Sequence, residues 1–248
     1  VTVLLFFAGV GLAFANTLAS AGSAVSLPAL LAVGLDPELA NGTNRVAVLV
    51  GSVAALTSFM RAGMIRWRLV APLAAAGALG AVLGAYLSEV VPPSRLHLAI
   101  VAALLVAVVL LGVRPTRWLA ARADTPRVGP TQLGLIFLVG VWAGFIVLDG
   151  LTYLLLVLVL SVRMDIVSAN AAKVAIATAI AAVSLPVLAV GGHVDWPAAV
   201  PLSLGAVVGG LIAARLAVLP GVGPWIYRLI VLVVLGEAAQ LALASARL

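Results

Sequence analysis

Residues 98–113 read LAIVAALLVAVVLLGV, a run that is apolar on every face. A transmembrane β-barrel strand alternates lipid-facing and lumen-facing residues over about 10 positions, and this stretch does not alternate. A backbone that must satisfy its own hydrogen bonds in hydrocarbon is left with the helix. The same character recurs at 229–236 and in most other segments, separated by short polar breaks.

Composition agrees with that reading. The 248-residue chain is 65% hydrophobic and 9% charged, with a mean hydropathy of +1.29, whereas soluble domains run at about 45–50% apolar and about 25% charged. The expected fold is an all-α polytopic membrane protein with no separate soluble domain. No basic region precedes the first apolar stretch from Val1, so that stretch is expected to stay in the mature protein rather than act as a cleavable signal. With no cysteine present, disulfides and thiolate metal sites are excluded. The net charge of +6 comes from arginines clustered in short loops, a pattern of membrane orientation rather than nucleic-acid binding.

A register shift of 129 positions aligns the two halves without a gap. It lays Asp165 on Asp36, Asn170 on Asn41, Trp196 on Trp67, Pro201 on Pro72 and Gly209 on Gly80. Matches of Ala or Leu are cheap in such a chain, but Asp, Asn, Trp and Pro in one register indicate a duplication. Residues 61–68 carry three arginines, while the equivalent 190–197 carry Asp195, His193 and no Arg or Lys. By the positive-inside rule these loops face opposite sides. The linker 114–130 has four arginines and is placed in the cytoplasm; the loop with Asp36 and Glu38 is placed outside, and its mate with Arg163 inside.

Opposite orientation requires an odd number of crossings per half. The reading is therefore two five-segment inverted repeats, 1–113 and 131–248, joined by the linker 114–130 into one integrated membrane domain. The first helices are interrupted at 16–23 and near Asp149, as full crossings or as a re-entrant hairpin. A parallel four-plus-four arrangement is the competing topology.

Inverted repeats with broken helices are a common build of secondary transporters, with substrate held near midplane at the repeat interface. Candidate substrate-binding residues are Asn16, Thr17, Ser20, Gly22 and Ser23 in the first break, and Thr152 and Tyr153 in the second. Small and hydroxylated residues there offer donors and exposed backbone N–H groups, although they also suit plain helix packing. Asp149, flanked by apolar runs, is costly in a bilayer and is the candidate proton-coupling group; it could equally cap the following segment.

Thr43, Asn44, Asn170 and Lys173 extend the candidate set from the related motifs ANGTNR at 40–45 and ANAAK at 169–173. Asn41 and Asn170 read foremost as N-caps of the third helices. Lys173 is the only lysine beside thirteen arginines, which suggests a task for a compact ammonium, with snorkelling to the interface as the alternative. Asp149 and Lys173 together suggest an acid and base that pair when empty and part when an anion binds. Arg45 reads as an interfacial charge near Asp36 and Glu38.

Enzyme signatures are missing: H-E-x-x-H, G-x-S-x-G and Walker-type loops do not occur. The chain is therefore read as no enzyme, needing no catalytic residues, metal or cofactor. Its expected partners are a small anion and the lipid bilayer, without nucleic acid and with homo-oligomers left open. A membrane accessory or assembly subunit is the alternative function.

These motifs, with Leu27-Pro28, Gly34, Arg61-Ala62-Gly63, residues 192–196 and Gly209-Gly210, resemble the TauE/SafE family of sulfite and organosulfur-anion exporters. The resemblance spans Gly9 to about Gly236. It implies a bacterial inner-membrane permease for sulfite, sulfonates or related carboxylated sulfur compounds. It also draws attention to Gly22, Pro28, Gly42, Thr43, Asn44, Asn170 and Lys173 as pathway positions. The chain departs from the family pattern at Ser20-Ala21-Gly22-Ser23, where a denser glycine run is usual, and at Leu148-Asp149-Gly150.

Overall fold

The computed structural model describes residues 1–90, 126–145, 150–229 and 231–232. The run 98–113, Asp149, the fifth segment of the first half and most of that of the second lie outside these residues.

The described residues include the helices α1 (Thr2–Ala19), α2 (Ser23–Ala32), α3 (Pro37–Arg61), α4 (Trp67–Val90), α5 (Pro130–Phe145), α6 (Gly150–Leu160), α7 (Ile166–Val190) and α8 (Trp196–Ala217). α1, α3, α4, α7 and α8 are long and apolar enough to cross a membrane. α2 has only 10 residues; at about 1.5 Å per residue it reaches about half of a hydrocarbon core about 30 Å thick.

Local chemistry sets the boundaries. Asp36 accepts from the N–H of Leu39 and is followed by Pro37, a residue suited to a first helical turn. Asp165 caps α7 through the N–H groups of Val167 and Ser168, and Asp195 caps α8 through that of Ala198. The expectation that Asn41 and Asn170 cap α3 and α7 is therefore corrected. Both lie inside the helices, whose carboxylate caps come five residues earlier. The first break is also narrower than 16–23. Asn16 and Thr17 are still helical, and the chain turns at Ser20, which takes a left-handed φ of 66°.

The 129-residue shift carries α3 onto α7 end to end, and Trp67, the first residue of α4, onto Trp196, the first of α8. Backbone detail repeats too: Gly63 and Gly192, which end their turns in the left-handed region, are mates, and so are Gly34 and Arg163. The halves are interleaved rather than side by side. α1 packs on α8, α5 packs on α4, and α3 and α7 pack on each other at the centre.

Glycines permit the first two contacts. Gly9 of α1 lies against the carbonyl of Leu202, and Gly205 and Gly209 of α8 lie against those of Phe6 and Val10. On the other side Gly80 and Gly84 of α4 meet the carbonyls of Phe137 and Val141. Small residues bring backbones together where lipid supplies no hydrophobic drive between helices. Large apolar side chains such as Phe7, Leu79, Leu138 and Leu204 stay exposed, as expected of surfaces that face acyl chains rather than water.

Loops from opposite halves meet at the ends. Gly42 lies against the carbonyl of His193, and the N–H of Asp195 donates to Thr43 Oγ1 at 2.9 Å. His193 Nε2 is 3.9 Å from Glu38. The start of α3 and the α7–α8 loop thus share one end. Elsewhere the N–H of Arg127 donates to the carbonyl of Val162, and Gln132 Nε2 to Ser161 Oγ, which joins the end of the linker and the first turn of α5 to the α6–α7 loop.

Candidate functional site

α2 folds back on α1. The N–H of Gly22 donates to Asn16 Oδ1, Gly22 itself lies against the carbonyl of Leu12, and Val25 reaches Gly11. A side chain at Gly22 would collide with α1. α2 is also tied to α3, because Ser26 Oγ donates to Asn44 Oδ1 at 2.6 Å and Asn44 Nδ2 donates to Ser23 Oγ at 3.2 Å. Asn44 is thus a structural clamp, two turns inside α3.

Its mate in the duplication is Lys173. This side chain is fully buried, and its ammonium donates to the carbonyl oxygens of Asn16 at 2.9 Å and Thr17 at 3.3 Å and to Ser20 Oγ at 3.0 Å. The carbonyls belong to the last turn of α1, which has no intrahelical donors for them and carries the negative end of the helix dipole. Lys173 does not reach the interface, so the snorkelling alternative is set aside. Among the described residues no carboxylate lies within ion-pair distance of it.

Arg45 corrects the expectation of an interfacial charge. It is 3% exposed, with Nη1 donating to the carbonyl of Ala143 at 2.7 Å and Nη2 to that of Gly144 at 3.4 Å, in the last turn of α5. Each half thus sends one cation from its third helix to the carbonyl end of the other half's first helix.

Two small clefts flank this arrangement. The first is lined by Ala13, Asn16 and Thr17 of α1, Val48, Gly51 and Ser52 of α3, Leu151 of α6, and Lys173, Val174 and Ala177 of α7. The second is lined by Asn16, Ser23, Arg45, Val48, Ala143, Gly150, Leu151, Ala177, Ile180 and Ala181. From the first to the second, the α3 numbers fall while the α7 numbers rise. The two helices therefore run antiparallel, with Val48 and Ala177 common to both clefts. The space open to a water's centre is about 20 Å³ and 30 Å³ respectively, room for a water or two but not for a larger oxyanion.

Of the residues expected to bind substrate, the structure brings Asn16, Thr17 and Lys173 to the first cleft and Asn16 and Ser23 to the second. Ser20 joins them through Lys173. Thr43 lines neither and instead holds the α7–α8 loop. Tyr153 stacks edge-on against Trp142 with centroids 6.3 Å apart. Thr152 and Asn170 are buried with Thr152 Oγ1 and both Asn170 amide atoms lacking a partner. Ser52 and Arg45 were missed. Recognising Asp36-Pro37 as cap and first turn would have placed Arg45 two turns deep rather than at an interface.

No group of three or more His, Asp or Glu among the described residues is placed to hold a metal. The clefts offer buried cations, an amide and hydroxyls, a donor set suited to a small anion.

The model of the family described as Sulfite exporter TauE/SafE matches residues 5–241. A probable membrane transporter protein, ORF9, from Sinorhizobium sp is 38% identical over 112 residues, which cover 45% of this chain and 42% of that protein; the chain thus spans less than half of that relative's length. Probable membrane transporter proteins from two strains of Xylella fastidiosa are 29% and 28% identical over 210 and 206 residues, covering 81% of this chain and 80% and 78% of theirs. No solved structure matches. These names and the five apolar spans point to a multi-pass membrane transporter rather than an enzyme. Matched over nearly its whole length, the chain belongs to the sulfite exporter TauE/SafE family.

Proposed function

We propose that this protein is a secondary transporter for a small sulfur-containing or carboxylate anion, with sulfite and organosulfonates the leading substrates, in the bacterial inner membrane. The observation that carries this reading is Lys173. An ammonium buried at the meeting point of two repeats is expensive in hydrocarbon and marks an ion pathway by default. Its described partners are all neutral oxygens, so its charge is not neutralised by them, and an anion would take the place of one of these oxygens on the three N–H donors. The hydroxyls of Thr17 and Ser52 and the amide of Asn16 complete the polar side of the cleft.

Alternating access follows from the antiparallel α3–α7 pair, which supports an inverted repeat, and from clefts too small for the substrate as they stand. One half rocks against the other to open each cleft in turn. Asp149 is the coupling group in this scheme. The shift of 129 lays it on Ser20, the side-chain partner of Lys173, and a protonatable carboxyl at the equivalent tip of the other half would link anion movement to a proton.

Purified protein in liposomes loaded with radiolabelled sulfite tests the reading. We expect the wild type to release sulfite faster than loaded liposomes without protein and Lys173→Gln to lose most of that flux. If the wild type moves neither sulfite, methanesulfonate nor acetate, the transporter reading is wrong and the accessory-subunit alternative takes its place.

A further inference from the structure

Arg45 has no task in the scheme above, yet a guanidinium buried at this depth costs more than an apolar side chain would. Its two carbonyl contacts use one hydrogen each of Nη1 and Nη2, while Nε is buried with no partner at all. A guanidinium has five N–H donors in a rigid fork. The unpartnered Nε with the neighbouring Nη forms the edge that meets an oxyanion side-on through two parallel hydrogen bonds.

The cleft beside Arg45 is the duplication's counterpart of the Lys173 cleft. The shift of 129 carries Val48, Gly51 and Ser52 of the first onto Ala177, Ile180 and Ala181 of the second. Each cleft holds one buried cation on a third helix, and each cation leans on the carbonyl end of the opposite half's first helix. Asn16, Val48, Leu151 and Ala177 line both, so the two clefts adjoin.

We propose that the Arg45 cleft is a second anion-binding site, beyond Val48 and Ala177 from Lys173, taking the same class of small oxyanion. This rests on the transport reading for its substrate class but on Arg45 alone for its charge. Two modest sites in series let an anion enter without being trapped, since conduction needs binding strong enough to admit the ion and weak enough to release it. Lys173 supplies a point charge and Arg45 a planar fork, so the sites differ in geometry while sharing a sign.

The cysteine-free chain makes the test direct. Ser23→Cys in the Arg45 cleft and Ser52→Cys in the Lys173 cleft are each exposed, in proteoliposomes, to an anionic sulfonate-bearing methanethiosulfonate and to its cationic ammonium counterpart. Rates are divided by those of a free thiol in solution. A cleft lined by one sign of charge concentrates the opposite ion by about tenfold or more, so Ser23→Cys is expected to favour the sulfonate by that factor. Arg45→Gln abolishes the preference and Lys173→Gln leaves it. Ala181→Cys repeats the measurement in the same cleft if Ser23→Cys does not fold. Equal normalised rates, no reaction with either reagent at both positions, or a preference that survives Arg45→Gln would each overturn the second site. Loss of the preference at Ser52→Cys with Lys173→Gln reports separately on the first site, so the two readings fail independently.

Discussion

The ammonium of Lys173, eight positions along α7 from its N-cap, lies 2.9 Å from the carbonyl oxygen of Asn16 in the last turn of α1. The contact joins two halves of the chain through one hydrogen-bonded cation, and Arg45 repeats it from the other side on Ala143. A buried charge held only by carbonyls and a hydroxyl contributes little net stability, because desolvation offsets most of the gain.

Lys173→Met should therefore separate folding from transport. Removing the charge relieves its desolvation while leaving two carbonyls and Ser20 without a donor, so the net change in stability is expected within about 1–2 kcal/mol in either direction. Sulfite flux in liposomes should nevertheless fall by about tenfold or more, since among the described residues no other cation lines that cleft. Thermal unfolding in detergent and flux on the same preparations check this. A large fall in Tm with flux retained would make Lys173 a strut.

Asp149→Asn should remove the dependence of sulfite flux on a pH gradient while sparing flux under equal pH. Asp149 is the carboxyl that the sequence places in the second break; the amide keeps size and polarity without a titratable group. Flux measured with an imposed gradient of either sign checks it, and an unchanged gradient response would end the coupling proposal.

The membrane class was legible because it is written in composition. Lys173 stood out as the lone lysine, and the 129-residue register carries helix ends, caps and left-handed turns onto each other. α3 and α7 start about five residues before the asparagines that resemble their caps. Asn41 and Asn170 drew the caps away from Asp36 and Asp165, which left Arg45 at a surface instead of two turns down. The partners of both cations were not legible either. Apart from the Ser20 hydroxyl they are backbone carbonyls about 100 to 157 residues away in sequence, and a carbonyl has no side-chain signature.

Asn170→Leu should be neutral or stabilising. The amide is fully buried in α7 with neither polar atom paired, and a buried unsatisfied group costs about 1–3 kcal/mol. A leucine, with the same branching and number of side-chain heavy atoms, removes that cost. If Asn170 serves the pathway, flux falls while Tm holds or rises; a falling Tm with unchanged flux would assign it to packing.

Gly205→Ala should destabilise the protein, and Gly134→Ala should not. At Gly205 the added methyl would meet the carbonyl of Phe6 on α1, which is backbone and cannot swing aside. The helices would have to part, at a cost of about 1–3 kcal/mol typical of overpacking. The loss would spread along the contact, because Gly9 and Gly209 rely on the same close approach of α1 and α8. At Gly134, in α5, nothing lies within 4 Å, and alanine's better helix propensity favours the substitution by up to about 1 kcal/mol. Thermal unfolding of both variants in one detergent should place Gly205→Ala below the wild type and Gly134→Ala at or above it. Equal midpoints for the two would mean that α1 and α8 are not in backbone contact, and with that the interleaving of the two halves would have to be redrawn.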